Sequence, residues 1–263
     1  MTKNRIIFNV VLMAAIFLTS CRNRGSNKSY TQNESSNLDE VTIGTQVWMT
    51  KNLDVDTFRN GDPIPQAIFS AEWEAAWENK QPAWCYKNND PANGAKYGKL
   101  YNWYAVNDSR GLAPAGYHIP SDAEWKQLTD FLGSEACNKM KSTRGWNSYT
   151  NGGSKTCPNC EDWNVEYRKK VPCHTCKDTR SVSSPTVTHS GNGTNSSGFS
   201  GLPGGSRITD GTFDDNGYGG FWWSSTEGSA GTAWQHALYY NFGDIYSVSA
   251  NKGDGRSVRC LRD

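Results

Sequence analysis

Apolar residues run almost unbroken from Ile6 to Phe17 and then all but vanish until Val41. A helix needs roughly twenty apolar residues to cross a ~30 Å hydrocarbon core, so this first run is too short to span one. Lys3 and Arg5 precede it and the small residues Thr19 and Ser20 follow it, and residues 1–20 read as a secretion signal. The polar stretch from 21 to 39 buries too little to offset its ordering entropy and reads as a flexible tether. Patterning resumes at Val41-Thr-Ile-Gly-Thr-Gln-Val-Trp-Met49, a strand–turn–strand pivoting on Gly44. Ser70 to Asn79 predicts a helix capped by Ser70, with Trp73 and Trp77 four apart on one face. Leu100, Trp103 and Tyr104 have the spacing of a second amphipathic helix over 100–108. A third, over 121–132, opens with the capping box Ser121-Asp-Ala-Glu124, aligns Trp125, Leu128 and Leu132, and can end at Gly133. Short strands follow at 221–225, 233–241, 245–250 and 256–261, each bounded by Gly, Asp or Asn.

Composition refines this picture. Aliphatic residues are sparse, whereas 26 Gly, 12 Tyr and 11 Trp favour a loop-rich, sheet-containing core over a helix bundle. Removing residues 1–20 takes Lys3 and Arg5 from the 27 basic residues, leaving 25 against 26 acids. Bulk charge therefore offers no nucleic-acid-binding face. No second long apolar run is present, and residues 40–263 suit one large domain. From about 141 to 197 the composition shifts to Gly, Ser, Thr, Asn and Lys around a cysteine cluster, which reads as a module inserted at about 145–195.

Leu18-Thr-Ser-Cys21 resembles a bacterial lipoprotein lipobox, which implies cleavage before Cys21 and its diacylation. The acyl chains would then attach the protein to a membrane. Arg22 follows Cys21, where no aspartate signals inner-membrane retention, and the expected location is the outer membrane or cell surface, with the periplasmic face left open. Cys157, Cys160, Cys173 and Cys176 form a C-x2-C-x12-C-x2-C pattern. Two such knuckles can supply a tetrahedral four-thiolate zinc site, and zinc is the leading reading. The oxidising compartment favours its competitor, two disulfides linking the knuckles. Cys85, Cys137 and Cys260 remain, and for Cys137 the sequence suggests no role.

Six segments, in order, resemble the Fibrobacter succinogenes major paralogous domain: IGTQVWMTKNL at 43–53, WCYKNNDPANGAKYGKLYNWYAV at 84–106, GLAPAGYHIPSDAEWKQL at 111–128, GFSGLPGGSR at 198–207, FWWSSTE at 221–227 and SVRCLRD at 257–263. That family is similar to C-type-lectin-like domains, and GYHIPSDAEW and VRCLR also echo formylglycine-generating sulfatase-modifying proteins. The resemblance implies an α+β fold: two main helices against small twisted antiparallel sheets, long loops and adjacent termini, here with the cysteine-rich insertion added. It also implies a disulfide tying the last strand to an earlier element. Cys85 and Cys260, each beside a strongly patterned segment, are the expected partners.

Catalysis finds little support in the residues. The formylglycine-generating relatives hold copper on paired C-terminal cysteines, and only Cys260 stands there. His118, His174, His189 and His236 are scattered, with no two at i, i+3 or i+4, as iron chemistry on this fold would need. Asp210, Asp214, Asp215 and Asn216 gather oxygen ligands for calcium, but the same residues also make ordinary turns. The sugar-binding triplets of C-type lectins are absent, and calcium is the weaker expectation. Near the C-terminus Trp234, Tyr239, Tyr240, Asp244, Tyr246 and Asn251 mix aromatic faces with short polar groups, a composition suited to a glycan or protein ligand. Strand alternation buries about half of such a set. The sequence thus points to a lipid-anchored, non-catalytic ligand-binding protein. The alternatives are an envelope assembly factor docking through the four-cysteine insertion and, less favoured, a metal-dependent modifying enzyme.

Overall fold

A glycine at φ 63°, Gly44, reverses the chain between β1 (Glu40–Ile43) and β2 (Gln46–Met49), a conformation that costs a residue without Cβ almost nothing. The computed structural model describes residues 39–152, 155–156, 181–182 and 185–263. Along the chain follow α1 (Ser70–Glu78), β3 (Trp84–Tyr86), α2 (Gly94–Tyr97), β4 (Lys99–Tyr101), α3 (Trp103–Val106), β5 (Tyr117–His118), α4 (Asp122–Leu132) and α5 (Ala136–Met140). The second half carries β6 (Tyr149–Asn151), β7 (Lys155–Thr156), β8 (Ser181–Val182), β9 (Val187–His189), β10 (Ser206–Arg207) and β11 (Phe213–Asp214). It ends with β12 (Gly219–Glu227), β13 (Thr232–Tyr239), β14 (Tyr246–Asn251) and β15 (Leu261–Arg262). Strands β1-β2-β15-β5 form one antiparallel sheet and β12-β13-β14 another, with two-stranded ribbons beside them. The class is α+β. Because β15 pairs with β2, the two ends of the domain share a sheet.

Local signals account for α4. Ser121 Oγ accepts from Glu124 N at 3.3 Å, and a Glu124 carboxylate oxygen accepts from Ser121 N at 2.8 Å, the reciprocal capping the sequence predicts. Trp125, Leu128 and Leu132 are its buried face. Two expectations need correction. The segment 100–108 is not one helix, because Lys99–Tyr101 pairs with Trp84–Tyr86 and helix begins only at Trp103. Asn102 separates the two, capping α3 through Ala105 N while also accepting from Ala83 N. In α1, Ser70 is the first helical residue rather than the cap, and the Glu72 carboxylate accepts from the Ile68 and Phe69 N–H groups instead.

The consecutive residues Trp222 and Trp223 point to opposite faces of β12 and so serve two cores. Trp223 joins Trp84, Tyr101 and Trp103, whereas Trp222 joins Trp48, Trp125 and Phe199. In the second core Phe199 lies 5.8 Å, centroid to centroid, from each of Trp48, Trp125 and Trp222, in edge-on contacts favoured by ring quadrupoles. Arginines complete the interior. Arg207 is fully buried and donates to the carbonyls of Gly211, Ala67 and Ile68, and Arg256 pairs with buried Asp254 at 2.9 Å.

Cys85 and Cys260 are separate free thiols, not the pair the resemblance implies. Cys85 packs with Ala67, Trp73 and Leu100, and Cys260 packs in the cluster of Trp103 and Trp223. Burial pushes each up to about 12. Cys137 is also a free, buried thiol, filling the core beside Met140. Tyr149–Asn151 pairs with Val187–His189, and Trp146 just before this ribbon is core. Cys157, Cys160, Cys173 and Cys176 lie outside the described residues, as do Cys21, the signal and nearly all of the tether. Among the described residues no helix is long and apolar enough to cross a membrane.

Candidate functional site

Register decides what β13 and β14 present. Trp234 lies opposite Ser249, His236 opposite Ser247 and Ala237 opposite Tyr246. Alternation therefore puts Trp234, His236 and Ser247 on one face and Tyr239, Tyr246 and Val248 on the other. The first face packs on α4. His236 stacks on Trp125, with centroids 4.7 Å apart and planes at 12°. At its margin Trp234, Asp244 and Ser247 join Asp122 and Lys126 of α4 around a cleft of about 410 Å³.

Asp122 organises that cleft. Its Oδ1 accepts from Ser247 Oγ at 3.0 Å and stands 3.0 Å from His236 Nε2, although the imidazole is not aligned to hydrogen-bond it. Desolvation pulls His236 down to about 4 against the opposing pull of Asp122, so the ring is neutral near pH 7. Ser247 donates to the carboxylate rather than to the imidazole, so the order of groups is not that of an activated nucleophile, which needs the base on the hydroxyl. The three groups form a positioned polar wall beside an indole.

The opposite face carries an exposed aromatic group at the sheet margin. Tyr239, Phe242 and Tyr246 have pairwise centroid distances of 5.6, 6.0 and 5.2 Å, all edge-on. Phe242 and Tyr246 are 46% and 39% exposed, and Val248 extends the patch. Burial, then the charge of Asp215, raises the Tyr239 hydroxyl above its ordinary value and keeps the phenol protonated.

The six residues expected to form one ligand face are therefore divided. Trp234 and Asp244 line the α4 cleft, and Tyr239 and Tyr246 occupy the far face. Tyr240 belongs to a third cluster, edge-on to Tyr149 and Tyr218. Asn251 sits at the other end of β14, where its side chain accepts from Gly253 N in a turn. Asp122 was legible only as a helix-start residue, and Phe242 has no signal beyond its place in the loop before β14. As for calcium, Asp210 accepts from Thr212 N and Oγ1, and Asp214 accepts from Asp215 N. Among the described residues no three His, Cys, Asp or Glu side chains converge as metal ligands.

Fold and surface together define an α+β domain whose C-terminal sheet presents a polar cleft on one side and an aromatic patch on the other. The Fibrobacter succinogenes major domain family matches residues 41–262, and the chain belongs to that family. No curated protein and no solved structure matches the chain.

Proposed function

We propose that this is a lipid-anchored protein of the bacterial outer membrane or cell surface whose C-type-lectin-like domain binds a glycan or protein ligand without catalysis. The lipid is carried on Cys21 and the polar stretch to residue 39 serves as the leash. The lectin-like arrangement is supported by the pairing of β15 with β2, which brings the domain ends together, and by α4 packed on a three-stranded sheet. The observation that carries the binding role is the patch in which exposed Phe242, Tyr246 and Val248 border half-buried Tyr239. Scattered exposed apolar residues are ordinary, whereas rings in mutual contact at a sheet margin offer rigid contact area at low entropy cost.

Detergent-solubilised full-length protein applied to a glycan array, and to envelope proteins from the same cells, with and without calcium, tests this reading. Binding that weakens in Phe242→Ala and Tyr246→Ala supports it. Binding that survives both substitutions undiminished moves the ligand off this face, and the absence of any binder removes the proposal.

A further inference from the structure

A cleft of about 940 Å³ lies away from the C-terminal sheet. Four stretches line it: Thr50–Asn52 beyond β2, Ala92–Lys96 around α2, Ser142–Gly145, and residues from Asn195 to Leu202. Lys51, Lys96, Arg144 and Arg259 line it, and no carboxylate does among the described residues. The whole chain carries 27 basic and 26 acidic residues, so this segregation is local rather than a reflection of bulk charge.

Arg259 is the built element. It is 1% exposed and has no ion-pair partner among the described residues. Its Nε and Nη2 donate to Asn52 Oδ1 and its Nη1 to the carbonyls of Met49 and Phe199. A guanidinium has five N–H donors, and these four bonds leave one on Nη2. Burial pulls the group down to about 9, which still leaves it charged at neutral pH. A buried cation without a counter-charge is costly, and an anion brought to it would offset that cost.

Two neighbouring cations share one aromatic ring. Lys87 and Lys96 place their ammonium groups 4.1 and 4.7 Å from the centroid of the same Tyr97 ring. Burial, then the charge of Lys96, pulls Lys87 down to about 8. Lys96 and Arg144 are exposed and have no carboxylate partner among the described residues; only Lys51 has one, Asp39, at 2.6 Å. Charges of one sign in a concave site focus the field and raise the local concentration of oppositely charged ligand.

Size and lining narrow the ligand class. The volume is far larger than a single inorganic anion needs and falls in the ~300–1,000 Å³ range of enclosed organic ligands. Thr50, Ser142, Thr143 and Asn195 add hydroxyl and amide groups that suit a hydroxyl-rich molecule. Among the described residues no aromatic ring lines the cleft, so they offer neither base stacking nor ring-on-sugar stacking there. We infer that this cleft binds an acidic oligosaccharide, its carboxylate or sulfate groups paired with Lys96, Arg144 and Arg259. This site is independent of the sheet-margin patch.

Titration calorimetry of the full-length protein with a short oligogalacturonate, a neutral oligosaccharide of the same length, and inorganic sulfate tests the inference. The acidic oligomer should bind, the neutral one should not, and raising salt from about 0.05 to about 0.5 M should weaken binding at least tenfold. Lys96→Glu and Arg144→Glu, both exposed and expected to fold normally, should each weaken it by about tenfold, and a charge reversal outside the cleft, Lys80→Glu, should leave it unchanged. Equal binding of the neutral oligomer, or undiminished binding in both reversal variants, would overturn the inference. Sulfate binding as tightly as the oligomer would also overturn it, in favour of a simple anion site.

Discussion

Asn52 Oδ1 accepts from Arg259 Nε at 3.1 Å and from Nη2 at 2.6 Å, joining residues 207 positions apart. The same oxygen accepts from Trp222 Nε1 at 2.8 Å, and Asn52 Nδ2 donates to Tyr97 O. One amide thus ties the segment after the N-terminal hairpin to the approach to the last strand and, through Trp222, to the sheet core. Asn52→Ala would strand a buried guanidinium and an indole N–H together. The expected loss is about 2–4 kcal/mol, read from urea unfolding midpoints. A change below 0.5 kcal/mol would mean that water or neighbouring carbonyls replace the amide.

Two histidines should shape the pH dependence of stability in opposite ways. His236 is held below its ordinary 6.5, at about 4, by desolvation. Between those values the unfolded chain binds a proton that the folded one refuses, so stability falls as pH drops from about 6.5 to about 4. The loss should be on the order of 1–3 kcal/mol. His236→Phe keeps the stack on Trp125 and should flatten that limb of a stability–pH curve. An unchanged acid limb in this variant would assign the effect to carboxylates.

His118 behaves the other way. Burial opposes its charge, but hydrogen bonds to Asp263 and Glu124 at 2.8 and 2.9 Å lift it above its ordinary value. Its contribution is fully present below the unfolded value and is lost as pH rises through the folded one. His118→Gln should therefore lose more stability at pH 5 than at pH 8. NMR titration of the His118 ring protons gives the folded value directly, and a value at or below 6.5 would contradict this.

The thiols of Cys85, Cys137 and Cys260 should resist alkylation in the native protein and become reactive in denaturant. All three are fully buried, and burial raises each above its ordinary value, disfavouring the reactive thiolate. Peptide mapping after labelling checks each site. A Cys85–Cys260 crosslink found in the denatured, unreduced protein would contradict the structure.

Removing the cap of α4 offers a local test. Ser121→Ala should cost about 1 kcal/mol, the usual value for a lost N-cap. The loss should fall almost wholly on this helix, as reported by amide exchange in its first turn. An unaltered exchange rate there would show that Glu124 alone holds the helix start.

Much of this architecture was legible in local patterns. The Gly44 hairpin, the span and capping box of α4, the first helix to within a residue or so, and the three strands of the C-terminal sheet all follow from signals fewer than ten residues long. The errors share a cause. Leu100 fits a helical stripe with Trp103 and Tyr104, yet the pairing of β4 with β3 decides its backbone. Trp234 and Tyr239 look alike as candidate ligand residues, yet their positions of opposite parity send them to opposite faces.

The sequence by itself determined the family, the α+β class and the elements whose start and stop signals are local, because backbone hydrogen bonding and hydrophobic period act between near neighbours. Tertiary structure alone decided that Cys85 and Cys260 sit in different cores, that Asp122 meets His236 and Ser247, and that Lys96, Arg144 and Arg259 line one cleft. Burial and charge environment are set by residues as much as 207 positions away, and no local pattern encodes which of them will come to lie alongside.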